Sequence, residues 1–255
     1  MNTLVWGLFL PDTPVNIYNF DNKFWTYINY YRLSIKTASD LGYDCHFYIN
    51  KEVGKYFEDL KVTLHVIDEL NHTFYDSINF YIFETGHKDK LILDGDIILK
   101  KRLPEIEADV VYEMKETNSW EWLYEFWVDE ITKRGIKDIM PEWTGKKYLQ
   151  LINIGAIQIQ NDEFRDLYLK RWNDFRKYIE NNRDNLNYKF TKGDTVEYTT
   201  LASQYIITEL VEYYNLKAID LKPFKAYKHY VGKQKFTNNL VPYDKVLIFN
   251  NRASI

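Results

Sequence analysis

Cysteine is nearly absent from this chain, with Cys45 the only one in 255 residues. A single thiol excludes an internal disulfide and any cysteine-rich metal centre, which fits a reducing compartment. Long apolar runs are missing too. Nothing approaches the roughly 18 residues that a transmembrane helix needs. The opening "MNTLVWGLFLPDTP" lacks the basic start and small-residue cleavage site of a secretory leader. A cytoplasmic location is the expectation. Excess charge is small: Lys and Arg total 33 against 37 Asp and Glu, a net charge of −4. That balance gives no general attraction to nucleic acid or anionic membrane, so a polyanionic partner would need a local basic patch. Internal repeats and low-complexity linkers are also lacking. The chain therefore reads as one continuous domain over 1–255, long enough to bury a substantial core.

What is present is an alternation of strand and helix. "TLVWGLFL" reads as a first strand ending at Pro11. Phe24, Ile28, Tyr31, Ile35 and Ala38 recur at steps of three and four, which predicts a helix that stops before Gly42. "DCHFYIN" predicts a second strand, 51–59 a short helix, "KVTLHVID" a third strand, and 74–85 another helix. A fourth strand, "LIL", follows. Farther on come a strand at "ADVVYEM", a Trp-rich helical region around 119–134, and a loop through Pro141 to Gly145. "LINIGAIQIQ" predicts a buried strand entered through a tight Asn-Ile-Gly turn. A long helix runs from Asp162 to about Asn181, and another spans about 195–214. Such alternation builds an α/β fold with a mostly parallel central sheet flanked by helices, in which ligands bind at the C-terminal ends of strands.

The stretch "KLILDGDIILKKRLP" puts Asp94 and Asp96 at just such an end, with Gly95 between them. Two carboxylates one residue apart repel, and burying either is costly without positive charge nearby. A divalent cation of the Mn²⁺ or Mg²⁺ kind answers that need, because hard ions take carboxylate oxygens and leave positions open for phosphate. A turn whose carboxylates merely cap backbone amides would also explain Asp-x-Asp by itself. Gly95 would let a ligand approach the backbone. "KHYVGKQKF" adds His229, Gly232 and Lys235 at the spacing His-x-x-Gly-x-x-Lys. There an imidazole can complete the metal shell, while the glycine backbone and lysine address a diphosphate. Lys222, Lys225, Lys228 and Lys233 surround that element in an otherwise acidic chain. Asp76 and Asn79, on the helix before the fourth strand, are candidates to reach a ribose or sugar. Trp120, Trp122, Tyr124 and Trp127 are candidates to stack on a pyranose ring. His46, His65, His72 and His87 fall singly in strands or turns and carry no assignment.

"KLILDGDIILKKRLPEI" resembles the signature segment of nucleotide-sugar-dependent glycosyltransferases of the GT-A fold, where Asp-x-Asp ends a central strand and precedes a "Leu-Pro" helix start. "NIGAIQIQND" resembles their Asn-x-Gly strand. "HYVGKQK" is similar to the late His-x-x-Gly-x-x-Lys element of the glycogenin and lipopolysaccharide-galactosyltransferase group. The three occur in that order here and span most of the chain. The resemblance implies a GT-A, Rossmann-like fold, with residues 1–100 binding the nucleotide sugar and 101–255 the acceptor. Asp94, Asp96 and His229 would bind Mn²⁺ (or Mg²⁺), and Gly232 and Lys235 the diphosphate. Asn153 and Gly155 would line the sugar or acceptor pocket. Glu197, with Asp194 as second choice, would face the reacting sugar. The implied activity is hexosyl transfer from a nucleoside-diphosphate sugar, UDP being the commonest carrier, with retention slightly favoured. The hydroxyl acceptor is left open among glycan, lipid-linked sugar, protein and modified DNA, and a homodimer is the base-rate expectation. Two other classes stay open: a haloacid-dehalogenase-type phosphatase, which also places Asp-x-Asp after an apolar strand, and a non-catalytic carbohydrate-binding module.

Overall fold

The computed structural model describes residues 2–8, 20–68, 70, 77–85, 87, 89–117, 128–182 and 201–230. The first part of the chain runs β1 (Thr3–Leu8), α1 (Phe20–Asp40), β2 (Asp44–Ile49), α2 (Lys51–Gly54), β3 (Thr63–Val66), α3 (Ser77–Glu84), β4 (Leu91–Leu93) and β5 (Ile97–Leu99). It continues with β6 (Val110–Thr117), β7 (Gln150–Ile159), α4 (Asp162–Asn182), α5 (Ile206–Tyr213), β8 (Ala218–Asp220) and β9 (Tyr227–His229). Residues 128–133 are helical as well.

Seven strands form one sheet in the order β3-β2-β1-β4-β7-β6-β8, and β5 pairs with β9 in a separate two-stranded sheet. Within the large sheet only β7 runs against its neighbours, antiparallel to both β4 and β6. The other pairings are parallel. The mostly parallel α/β architecture expected from the sequence is what the chain forms.

Central strands of such a sheet are covered on both sides, which is why β1 and β4 are apolar runs without alternation. Val5, Tyr48, Ile92 and Ile157 join a core beneath α3, α4 and α5. Leu4, Trp6, Phe47, Leu91 and Leu93 face the opposite core, closed by Ile28, Tyr31, Ile35 and Ala38 of α1. Those four α1 residues are members of the predicted stripe. The helix ends as its sequence dictates, with Gly42 at a φ of 79°, a conformation that glycine adopts without steric cost. Asn161 caps α4, its Oδ1 accepting from the Phe164 amide at 3.0 Å. Phe164, Tyr168, Trp172 and Phe175 then point inward as their spacing predicts.

Polar contacts tie the layers together. Trp6 Nε1 donates to Ser34 Oγ (3.0 Å), and Ser34 Oγ donates to the Ile97 carbonyl (2.6 Å), fixing β5 against α1. Arg32 grips Asp59 through two nitrogens at 2.7 and 2.6 Å, bidentate geometry that anchors the turn before β3.

Three local expectations are corrected. The helix predicted over 51–59 is only Lys51–Gly54, after which turn hydrogen bonds such as Tyr56 to Val53 and Leu60 to Phe57 take over. Residues 101–107 after β5 form no helix, so Leu103-Pro104 does not start one. The Asn-Ile-Gly segment is not an entry turn but lies inside β7. The Trp-rich stretch from Trp120 to Trp127 lies outside the described residues. Among the described residues, no helix is long and apolar enough to cross a membrane.

Phe80 joins α3 to α4 by stacking on Trp172 with ring centroids 4.0 Å apart and planes 15° from parallel. Phe80→Ala should therefore lower unfolding stability by about 3–5 kcal/mol, the usual result of emptying a buried aromatic position. Urea denaturation measures it, and a midpoint equal to wild type would contradict this packing.

Candidate active site

The chain leaves β4 at Asp94, turns, and re-enters extended structure as β5. The turn is closed by the Ile97 amide donating to the Asp94 carbonyl at 3.1 Å, while the Asp94 amide donates to the Gly155 carbonyl at 2.6 Å. Asp94 therefore stands at the C-terminal end of a central strand, where α/β sheets place their ligands. Gly95 is required there for packing. A Cβ at that position would lie 2.3 Å from the Tyr31 ring, which is held by its hydroxyl donating to the Gly7 carbonyl at 2.9 Å. The small side chain thus admits an aromatic ring of α1.

The β5–β9 pairing supplies the third candidate. Its register sets Ile97 opposite His229, and the Tyr230 amide donates to the Asp96 carbonyl at 3.2 Å. His229 Nε2 consequently lies 3.3 Å from Asp96 Oδ1. One oxygen each from Asp94 and Asp96 and one nitrogen of His229 fall within 4.8 Å of one another.

Beneath them is a residue the sequence reading missed. Glu113, on β6 and fully buried, accepts a hydrogen bond from His229 Nδ1 at 2.8 Å. Its backbone carbonyl accepts from the Tyr227 hydroxyl at 3.0 Å. The only available signal was an acid between Tyr112 and Met114, following the apolar run Val110–Tyr112. Opposite Glu113 the β6–β7 register shifts, so that Tyr112 faces Ile157 while Met114 faces Asn153. Asn153 bridges that irregularity, its Oδ1 accepting from the Gly155 amide (2.7 Å) and its Nδ2 donating to Glu116 (2.6 Å). A Cβ on Gly155 would sit 2.8 Å from Glu113 Oε2 and 3.3 Å from the His229 ring. Gly155 and Asn153 thus belong to the support behind His229.

Three carboxylates around one imidazole make a strongly negative spot. Burial alone would lower the His229 pKa, but the hydrogen bonds and charges of Asp96 and Glu113 outweigh it and push it up to about 10. Without another cation, the imidazolium proton supplies the positive charge these carboxylates require. Glu113 Oε2 is buried and has no hydrogen-bond partner among the described residues. The two-oxygen, one-nitrogen donor set fits a divalent cation of intermediate hardness, and Glu113 is placed to orient the ligand imidazole as a carboxylate does behind many metal-bound histidines.

A cavity of about 400 Å³ opens beside these groups. Glu113 and His229 lie at its inner side, and the exposed Lys100, Lys222 and Lys225 line it with Met114 and Tyr227. Lys222 and Lys225 belong to the predicted basic patch; Lys100 is carried there by β5, whose following amide donates to the Ala226 carbonyl at 2.8 Å. Asn79 is buried within α3. Glu197, Asp194, Asp76, Gly232 and Lys235 lie outside the described residues. Cys45 takes no part, since burial and the charge of Asp44 push its thiol up to about 12.

No protein-family model matches the chain, and no curated protein matches it. Among solved structures, the glycosyltransferase GlyE of Streptococcus pneumoniae TIGR4 is 11% identical with a TM-score of 0.42, the match covering 87% of this chain and 45% of that one. Galactosyltransferase LgtC, in complex with donor and acceptor sugar analogs, is 12% identical with a TM-score of 0.43, over 86% and 72% of the two chains. Mouse xyloside xylosyltransferase 1 is 14% identical with a TM-score of 0.43, over 82% and 83%. This chain spans less than half the length of GlyE.

In metal-free protein the elevated His229 pKa stabilises the fold fully below the unfolded histidine value, near 6.5, and that contribution is lost as pH rises through about 10. An NMR titration of the imidazole should find it protonated at neutral pH with a midpoint far above the ordinary histidine range. A midpoint near 6.5 would show that the carboxylates do not act on it.

Proposed function

We propose that this protein is a metal-dependent glycosyltransferase that moves a hexose from a nucleoside-diphosphate sugar, UDP-sugar first, to a hydroxyl acceptor. The observation that carries this reading is the meeting of Asp94, Asp96 and His229 beyond the end of β4, beside a cavity lined by three lysines. Negative groups gathered around a cation site next to exposed positive side chains suit a ligand that is itself polyanionic and metal-bound. A nucleoside diphosphate has that character, and a neutral sugar alone does not.

Asp94, Asp96 and His229 would hold Mn²⁺ or Mg²⁺, which when bound supplies Lewis-acid neutralisation of the diphosphate. Glu113 keeps the His229 ring oriented with Nε2 toward Asp96. Lys100, Lys222 and Lys225 provide positive potential for a leaving diphosphate, and fixed charges aimed where negative charge develops lower the barrier. Gly232 and Lys235 follow β9 closely in sequence and are assigned to the same diphosphate.

In the transfer, the bond between the sugar's anomeric carbon and the phosphate oxygen breaks, and a bond to the acceptor oxygen forms. We favour retention of configuration, with the acceptor proton passing to the departing phosphate oxygen and Glu197 steadying the developing sugar cation. If configuration inverts, Glu197 takes that proton, with Asp194 the alternative. Asn79 and Asp76 are assigned to ribose or sugar contact, and the reaction is placed in the cytoplasm.

The test is release of nucleoside diphosphate from UDP-, GDP-, CDP- and ADP-sugars, with Mn²⁺ and with EDTA. Turnover should require the metal, favour one base, and fall at least about 100-fold in Asp96→Ala, the scale of removing one charge-stabilising group from a reacting centre. Full activity of Asp96→Ala would overturn the site assignment. Hydrolysis of an aryl phosphate with no action on any sugar nucleotide would replace a transferase with a phosphatase.

A further inference from the structure

Three of the five histidines in the chain meet at one place that the reading above does not use. His46 lies on β2 and His65 on β3, in a parallel register that sets His46 opposite Thr63 and Tyr48 opposite His65. His87 reaches them from the turn between α3 and β4. One nitrogen from each ring falls within 4.8 Å of the others, and all three residues are half-buried. His46 Nδ1 and His65 Nε2 are 2.9 Å apart, and the centroids of His46 and His87 are separated by 4.0 Å.

Two of the rings are anchored by polar neighbours. His46 Nε2 lies 3.0 Å from Asp44 Oδ2, and His87 Nδ1 lies 2.7 Å from the Tyr48 hydroxyl, itself 3.0 Å from Thr85 Oγ1. A proton held on His46 Nε2 by Asp44 would leave the Nδ1 lone pair facing the cluster. The Asp44–His46 pair therefore has the form of a carboxylate orienting a ligand imidazole. Burial, together with the charge each ring would meet on its neighbours, holds His65 and His87 below the usual histidine value, which favours the neutral, ligating form.

We propose that His46, His65 and His87 form a second metal site, selective for imidazole-preferring divalent ions of the zinc class, and separate from the carboxylate site. Zinc takes histidine nitrogens at about 2.0–2.1 Å in tetrahedral geometry, which puts ligand nitrogens about 3.3 Å apart. Small ring rotations would bring these three to that spacing, leaving a fourth position for water. Mn²⁺ and Mg²⁺ favour oxygen donors, so the chemistry of the donors separates the two sites. Their positions separate them too. His46 and His65 sit within β2 and β3 and His87 precedes β4, whereas Asp94 and Asp96 follow it. The ion would act as a clamp joining two edge-side strands to the α3–β4 turn, with no part in the transfer reaction.

The experiment uses the full chain carrying Asp96→Asn and His229→Gln, which removes the carboxylate site. Calorimetric titration with Zn²⁺ should show one ion bound per chain and a raised thermal midpoint that EDTA reverses. Co²⁺ in its place should give the intense visible absorption of a tetrahedral nitrogen site. Asp44→Asn should weaken Zn²⁺ binding about 10- to 100-fold, and His87→Gln, in a turn where strand pairing is untouched, should weaken it further. Unchanged affinity in a folded His87→Gln chain, or no Zn²⁺ binding at all, would overturn the proposal. Should the variants fail to fold, imidazole NMR of the unsubstituted chain decides. Zn²⁺ must shift His46, His65 and His87 together, and shifts confined to other histidines refute the site.

Discussion

Repulsion among three carboxylates is the constraint around which this molecule is arranged. Asp94, Asp96 and Glu113 surround a single imidazole whose exposure is only 10% at the side chain. Like charges cannot be buried side by side without a compensating positive group, and the fold goes to some length to bring one. β5 must turn back to pair with β9, Tyr230 must bond to the Asp96 carbonyl, and the β6–β7 register must shift to admit Glu113 behind the ring. Each of these irregularities is placed around His229. They bring groups from β4, β5, β6 and β9 to one place.

The surrounding architecture makes that shape rigid. The Trp6–Ser34–Ile97 hydrogen bonds hold β5 to α1, and the Tyr31 ring fills the space beside Gly95, so neither backbone on which the aspartates sit can drift. Asn153 spans the register shift and keeps the Gly155 amide satisfied. A site whose supports are packed and hydrogen-bonded presents its ligands pre-oriented, lowering the entropy lost on binding. The three lysines, by contrast, are exposed on long flexible side chains and suit a ligand that enters and leaves.

Local periodicity made much of the fold legible. The stripe Ile28, Tyr31, Ile35, Ala38 and the face Phe164, Tyr168, Trp172, Phe175 are dictated by helical geometry, and buried parallel strands betray themselves as unbroken apolar runs. Asp94, Asp96 and His229 could be picked out because strand-end carboxylates and a Gly-Lys register carry chemistry in their spacing. β5, β8 and β9 were not foreseen, since three residues are too few to establish a period and their pairing joins positions such as 97 and 229. Glu113 has no sequence relation to His229; only the three-dimensional register brings them together. The same holds for His46, His65 and His87, whose meeting follows from a parallel strand register and a turn, and which looked unrelated when taken singly.

The most direct measurement is the number of protons released when Mn²⁺ binds the metal-free protein at pH 8, read by calorimetry in buffers of different ionisation heat. Metal ligation needs a bare imidazole nitrogen, whereas the carboxylates hold His229 protonated well above neutral pH. About one proton should be released per ion, and that release should vanish in His229→Gln while weaker Mn²⁺ binding through the aspartates remains. Binding without proton release would show that His229 is not a ligand, and no binding would remove the cation from this site altogether.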